Sequence, residues 1–331
     1  MRKKAILAVL TVFGTLALGA TAHAASINEV VGDGINAYPN TIVEFAIIDD
    51  SRETLVNSDG SVLERVPGTP PTYQYVGGAA AADTTLDMGD KLRGIFRAYT
   101  YEVNSTGTQA FSPTFEVTAI FETEVIGKTA LGGGLFSFAF GPSASFAAEL
   151  AGLANVTATA AELAGTMVAV FEDQTPNYSV ASGTLAAQTL TAVDGSAWAF
   201  LGFTGAGMTA AAGEGWLATP VAGDDITALP SNLLGGLANI SLNRLAVGHS
   251  LSSSLTILPV QIGAFGPTPV EFTATATFQG QSSNSPSNWP VKDQTTLFFS
   301  AIPSPVAIGP GLVMLGGLFF SRRRRSTLAA A

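Results

Sequence analysis

Polar and apolar residues alternate along most of this chain. Val270, Phe272, Ala274, Ala276 and Phe278 fall on one face of an extended segment, and Glu271, Thr273, Thr275, Thr277 and Gln279 on the other. Phe115, Val117, Ala119, Phe121 and Val125 repeat the pattern against Glu116, Thr118, Glu122 and Glu124. Both segments read as half-buried strands with one wet face. Further strands are expected at residues 41–48, 91–103, 135–140, 167–172, 197–203, 255–260 and 296–301. Turn chemistry separates them, as in Asn57-Ser58-Asp59-Gly60 and Val66-Pro67-Gly68-Thr69-Pro70-Pro71. Residues 279–293, rich in Ser, Asn and Pro, are expected to form a long loop before the last strand. With no strand–helix rhythm, the pattern predicts an all-β domain, an antiparallel β-sandwich or jelly roll. One stretch departs from period two: Ala147-Ala148-Glu149-Leu150-Ala151-Gly152 recurs as Ala160-Ala161-Glu162-Leu163-Ala164-Gly165. It predicts a short Ala-rich helical insertion over residues 146–163, each copy ending at a capping glycine.

The two ends follow a different logic. Arg2, Lys3 and Lys4 precede an apolar stretch from Ala5 to Ala20, and Ala22-His23-Ala24 follows as a small-residue cleavage site. That is a secretory signal, with signal peptidase as the implied partner. At the other end Pro303-Ser304-Pro305 precedes an apolar run from Val306 to Phe320 and the cluster Arg322, Arg323, Arg324 and Arg325. The run is short for a hydrocarbon core and carries five glycines and prolines, whereas the arginines resist translocation and hold the C-terminus in the cytoplasm. The chain thus divides into a signal peptide (1–24), an exported domain (25–300), a C-terminal hydrophobic sorting helix with its flanking motifs (301–325) and a cytoplasmic tail end (326–331).

At these tail residues the chain resembles the PEP-CTERM sorting signal of exported bacterial proteins, in the order proline motif, apolar segment, arginine cluster. Pro303-Ser304-Pro305 stands where the family usually has Pro-Glu-Pro. The resemblance covers residues 302–325. It implies an exosortase-like processing enzyme as a partner, transient contact with the inner membrane through residues 302–321, and a final location at the cell surface or outside the cell. It also implies the company of exopolysaccharide, as in biofilm.

Composition narrows the chemistry. Of 15 basic residues, three precede the exported domain and four follow it, leaving 8 against 25 acids and a net charge of −17. Such a surface repels nucleic acid. The absence of cysteine excludes thiol catalysis, iron–sulfur clusters and cysteine zinc sites. His249 is the one histidine left after signal removal. Gly248-His249-Ser250-Leu251-Ser252 echoes a nucleophile elbow but lacks its final glycine, a parallel sheet and a second histidine. Gly127-Lys128-Thr129 lacks the first glycine of a phosphate loop, because Glu122 occupies that position.

Carboxylates remain. Asp49, Asp50, Asp59, Asp224 and Asp225 in acidic turns offer hard oxygen ligands for calcium, the one cofactor the sequence suggests. Asp49-Asp50, Glu122/Glu124, Glu172-Asp173 and Asp224-Asp225 are the candidate acid pairs for glycoside hydrolysis. Trp198, alternating with Phe200, is expected in the core, and Trp289, in a polar loop, is the candidate glycan contact. No catalytic set stands out, so the sequence favours a non-enzymatic surface or matrix protein. A glycan-binding β-sandwich module and a secreted carboxylate-based glycoside hydrolase are the alternatives.

Overall fold

The computed structural model describes residues 43–57, 60–77, 83–104, 108–110, 115–179, 183–231, 235–245, 255–259, 261–262 and 264–303. The signal peptide, Asp59, His249, Ser304, Pro305 and the arginine cluster lie outside them.

The chain is mostly β, and its strands close into an eight-stranded antiparallel barrel rather than the expected sandwich. The first strands are β1 (Val43–Val56), β2 (Val62–Val66), β3 (Thr72–Val76), β4 (Lys91–Val103) and β5 (Gln109–Ala110). Next come β6 (Glu116–Gly132), β7 (Leu135–Pro142), helix α1 (Ala144–Ala151), β8 (Thr166–Asp173), helix α2 (Leu185–Ala192), β9 (Ser196–Gly202) and β10 (Gly215–Ala222). The last are β11 (Gly236–Arg244), β12 (Leu255–Leu258), β13 (Gln261–Ile262), β14 (Pro269–Val270), β15 (Phe272–Gly280) and β16 (Val291–Pro303). The ring runs β1–β4–β6–β8–β9–β11–β15–β16 and back to β1. Closure gives each wall strand a partner on both edges, the general escape from exposed strand edges.

The wall forks between β6 and β11. Residues 116–121 of β6 pair with β8, whereas residues 123–132 of the same strand pair with β7. On β11, residues 236–241 pair with β10 and Asn243 and Arg244 with β9. The gap is therefore spanned by β8 and β9 at one end of the barrel and by β7 and β10 at the other.

Side chains fill the interior. Phe121 and Trp216 meet at 5.6 Å between ring centroids, Phe140 and Trp216 at 6.3 Å, Trp198 and Phe299 at 6.1 Å, and Phe272 and Phe299 at 5.5 Å. Gly94 on β4 is small because Phe121 needs the room: a Cβ there would lie 2.3 Å from the Phe121 ring. The alternation read for β15 holds, with Phe272, Ala274 and Ala276 inside and Thr273, Thr275 and Thr277 on the other face.

For β6 the expected wet face does not exist. From Glu116 to Thr123 every residue is buried, because a second apolar layer covers that part of the wall. Phe146 and Leu150 of α1, Leu185 and Ala192 of α2, and Trp289 pack there on Ile95, Ile120, Phe171 and Phe200. The predicted helical insertion is half right. α1 forms on the first alanine-rich copy and Gly152 ends it. The second copy makes only turns: Thr159 and Glu162 cap each other, but Gly165 follows three residues later at φ +92°. α2, capped by Thr184 on the Ala187 N–H, was not anticipated.

Two arginines, one buried and one half-buried, fasten this outer layer. Arg65, fully buried, donates from Nη1 to the Ser285 and Ser287 carbonyls (3.1 Å each) and from Nη2 to Ser282 (2.6 Å), fixing the serine-rich loop that carries Trp289. Arg93 reaches from β4 to Glu122 on β6 and Glu149 on α1. The Ser143 and Ser145 hydroxyls donate to the other Glu122 oxygen at 2.7 and 2.6 Å. Against the upward push of burial, the Arg93 charge and these hydroxyls hold Glu122 below the usual carboxylate range. Arg93→Leu would strand Glu122 as a buried, unpaired charge, and urea denaturation should show a loss of about 3 kcal/mol. Adding Glu122→Leu should recover most of it.

Candidate functional site

A group of three buried carboxyls lies inside the barrel. β1 continues past the predicted residue 48, and its inward positions read Asp49, Ser51, Glu53 and Leu55. Across the β1–β16 pairing, Asp293 and Thr295 point to the same interior. Asp49, Glu53 and Asp293 are each about 4–6 % exposed. Asp49 Oδ1 accepts from the Ser51 hydroxyl (3.0 Å) and the Thr295 N–H (2.9 Å), and Asp293 Oδ2 accepts from the Thr295 hydroxyl (3.0 Å).

Glu53 and Asp293 both border the two inner cavities and interact electrostatically. Burial first, then the charge and hydrogen bond of Asp293, then the charge of Asp49 push Glu53 well above the usual carboxylate range. Burial pushes Asp293 up to about 7, against the hydrogen bond from Thr295. Two acids that interact in an apolar setting cannot both ionise near neutrality, so they share a proton.

The wall is thin at this point. The β1–β16 ladder runs from Val43 opposite Ala301 to Ile48 opposite Thr296, and resumes at Ser51 opposite Asp293. Asp49, Asp50, Gln294 and Thr295 lie in the lapse, and β4 bulges beside it at Tyr99. Outside, a polar cleft of about 480 Å³ is lined by Tyr99, Thr100, Thr277, Gln279, Lys292 and Gln294, with Asp49 and Asp293 at the wall. Inside are two mainly apolar cavities of about 50 and 40 Å³. Glu53, Asp293 and Trp216 border both. These have room for a few waters and fall far short of the 300–1,000 Å³ typical of a ligand pocket.

The residues singled out from sequence are scattered. Asp49 belongs to the buried trio, and Asp50 is its neighbour on β1. Asp224 is bound by Lys128 at 2.7 Å, which also holds Asp87 at 2.6 Å, and it borders the smaller cavity. Asp225 caps the Thr227 N–H and hydroxyl at 2.9 and 2.7 Å. Among the described residues, no group of three or more His, Cys, Asp or Glu is placed to hold a metal ion. Of the carboxylate pairs, Glu122 is committed to Arg93, and Asp173 caps the Thr175 N–H. Trp198 is core, as expected. Trp289 is not a surface contact: it is 1 % exposed, and its Nε1 donates to Gln188 at 2.5 Å. The polar loop around it hides an apolar anchor. Pro303 is the last residue of β16 and pairs with Leu255 of β12.

Glu53 and Asp293 were missed, although a signal existed. Both share the parity of apolar residues that end the same run, Ile47 and Leu55 on β1 and Val291 and Phe299 on β16. No family model, curated protein or solved structure matches the chain.

Glu53 and Asp293 make stability depend on pH in a defined direction. Acids whose folded values are raised contribute stability that is complete below the unfolded value and lost as pH rises through the folded one. Glu122, held low, acts oppositely and contributes stability lost on acidification. Thermal midpoints should therefore peak at about pH 4–5 and decline as pH rises through about 7. Asp293→Asn should flatten the alkaline limb and leave the acid limb in place.

Proposed function

We propose that the chain is a non-enzymatic, exported protein of the cell surface or extracellular matrix, sorted through a PEP-CTERM-like tail and accompanying exopolysaccharide. The observation that carries the non-enzymatic part is the filled barrel, whose interior cavities of about 40 and 50 Å³ are too small for a substrate. The export part rests on the order of the terminal segments: basic-apolar-small at one end, proline-apolar-arginine at the other. Signal peptidase and an exosortase-like enzyme are the processing partners in this reading.

Intact mass of the protein recovered separately from medium, cell surface and membrane tests the sorting. A released or surface species should begin near Ala25 and lack Arg322–Arg325. It should retain Pro303, because Ala301 is a fully buried wall residue. Recovery solely as a membrane species with all four arginines would replace the sorting signal with a permanent anchor.

Catalysis is tested separately, by incubating the protein with a panel of polysaccharides and assaying new reducing ends. No release above a heat-denatured control is expected. Release by the wild type that disappears in Asp293→Asn would establish the hydrolase instead.

A further inference from the structure

The cleft on the outer face of the wall is shaped by a bulge. On β4, Ala98 pairs with Asp49 and Thr100 with Ile48, which leaves Tyr99 as the extra residue. A bulge re-aims side chains, and here two consecutive residues, Tyr99 and Thr100, line the same polar cleft of about 480 Å³. The Tyr99 ring is 43 % exposed yet held in place. The Arg97 guanidinium lies 5.5 Å from its centroid and is itself bound to Glu116 at 3.1 Å. Thr277, Gln279, Lys292 and Gln294 complete the polar lining. From the cleft a cross-strand row continues over the outer face, Ile48 level with Thr296, Thr296 with Thr275 and Thr275 with Asn239. At about 4.8 Å per strand, the row from β4 to β11 covers roughly 20 Å. A second exposed ring, Phe298, flanks it two residues beyond Thr296. We propose that cleft and row bind an internal stretch of a neutral linear glycan, with Tyr99 as the stacking platform.

The chemistry of the lining selects the ligand. A pyranose has apolar C–H faces and hydroxyl edges, so it calls for an exposed ring with uncharged donors and acceptors around it. Tyr99 supplies the ring. The glutamine amides and threonine hydroxyls donate and accept alike, as sugar hydroxyls do. Other ligands fit worse. A polyanion would approach a domain with 8 bases against 25 acids, and would find Asp49 and Asp293 in the cleft wall with one cation, Lys292, among the described lining residues. An apolar ligand would strip water from the amides and hydroxyls without replacing its hydrogen bonds. In size the cleft falls within the 300–1,000 Å³ of ordinary ligand pockets, which the interior cavities do not reach. The row beyond it favours a chain over a single sugar, because an oligosaccharide gains contacts on β16, β15 and β11 that a disaccharide at Tyr99 does not reach. The proposal deepens the reading of a matrix protein and rests on it only for the source of the glycan. Binding to purified sugars is measured without export, so a failure of the sorting signal leaves it standing.

Isothermal titration calorimetry of the purified protein with cellobiose, cellohexaose, maltose, maltohexaose and a hexameric oligogalacturonate tests this. At least one neutral hexasaccharide should bind, more tightly than its own disaccharide and more tightly than the oligogalacturonate. Tyr99→Ala should weaken that binding by about tenfold. Gln294→Ala, at an exposed position on β16, should weaken it in the same direction and serves if the first variant folds poorly. Leu190→Ala, an exposed residue of α2, should bind as the wild type does. Failure of both neutral hexasaccharides to bind would overturn the proposal, as would wild-type affinity in both cleft variants. Equal or tighter binding of the oligogalacturonate would overturn the neutral ligand, and equal binding of disaccharide and hexasaccharide would overturn the row. Sedimentation checks the competing occupant: self-association that Tyr99→Ala abolishes would assign the cleft to a second copy of the chain instead.

Discussion

Closing a sheet into a barrel removes a freedom that an open sandwich keeps. Each wall strand is bonded on both edges, so its register is set twice, and a slip by one residue would turn every inward side chain outward. The parity of β1 and β16 is therefore imposed by their neighbours as well as by their own residues. Ile47, Leu55, Val291 and Phe299 are apolar and belong inside. Asp49, Ser51, Glu53, Asp293 and Thr295 share their parity and are carried in with them. The barrel cannot expel these groups without disrupting the two long ladders on either side of β1.

The two faces of the wall show how environment decides the behaviour of one residue type. Glu122, on the outward face of β6, is as deeply buried as Glu53, on the inward face of β1. Glu122 meets an arginine and two serine hydroxyls and stays ionised. Glu53 meets Asp293 and Asp49 and holds its proton. Burial penalises both alike, so the difference lies in the partners. The helical layer makes the first arrangement workable, because α1 supplies Glu149 and its first turn supplies Ser145. No comparable layer reaches the interior.

Strand identity was largely legible in the sequence because period two is a local property. Residues 91–103 and the alternation of β15 were read correctly, as was the burial of Trp198. Closure was not legible, since it depends on β6 and β11 each pairing with two strands along one edge, and no local pattern encodes that fork. Reading β6 as half wet failed for a related reason: Glu116, Thr118 and Glu122 are polar, but the residues that cover and neutralise them come from α1, α2 and β4. Trp289 misled in the opposite direction. Its loop is polar in sequence, but Arg65 bonds three of the loop's backbone carbonyls and holds the tryptophan against the wall. The acid trio was overlooked because β1 was ended at residue 48, one residue before its inward positions turn acidic.

Three acids facing an apolar interior lower the stability of the folded state, and well-packed apolar residues in their place would be expected to raise it. Their cost is not spread over the molecule. All three lie within a few residues of the same lapse in the β1–β16 ladder, where the Asp49–Thr295 contact stands in for backbone pairing. Proteins open first where backbone bonds are few and unfavourable terms accumulate. On the far wall, Val168, Ala169 and Val170 pair with both β6 and β9, with Ala169 facing the apolar layer under α1 and α2. The unfavourable burial of charge is thus gathered at one place in the wall, the β1–β16 pairing.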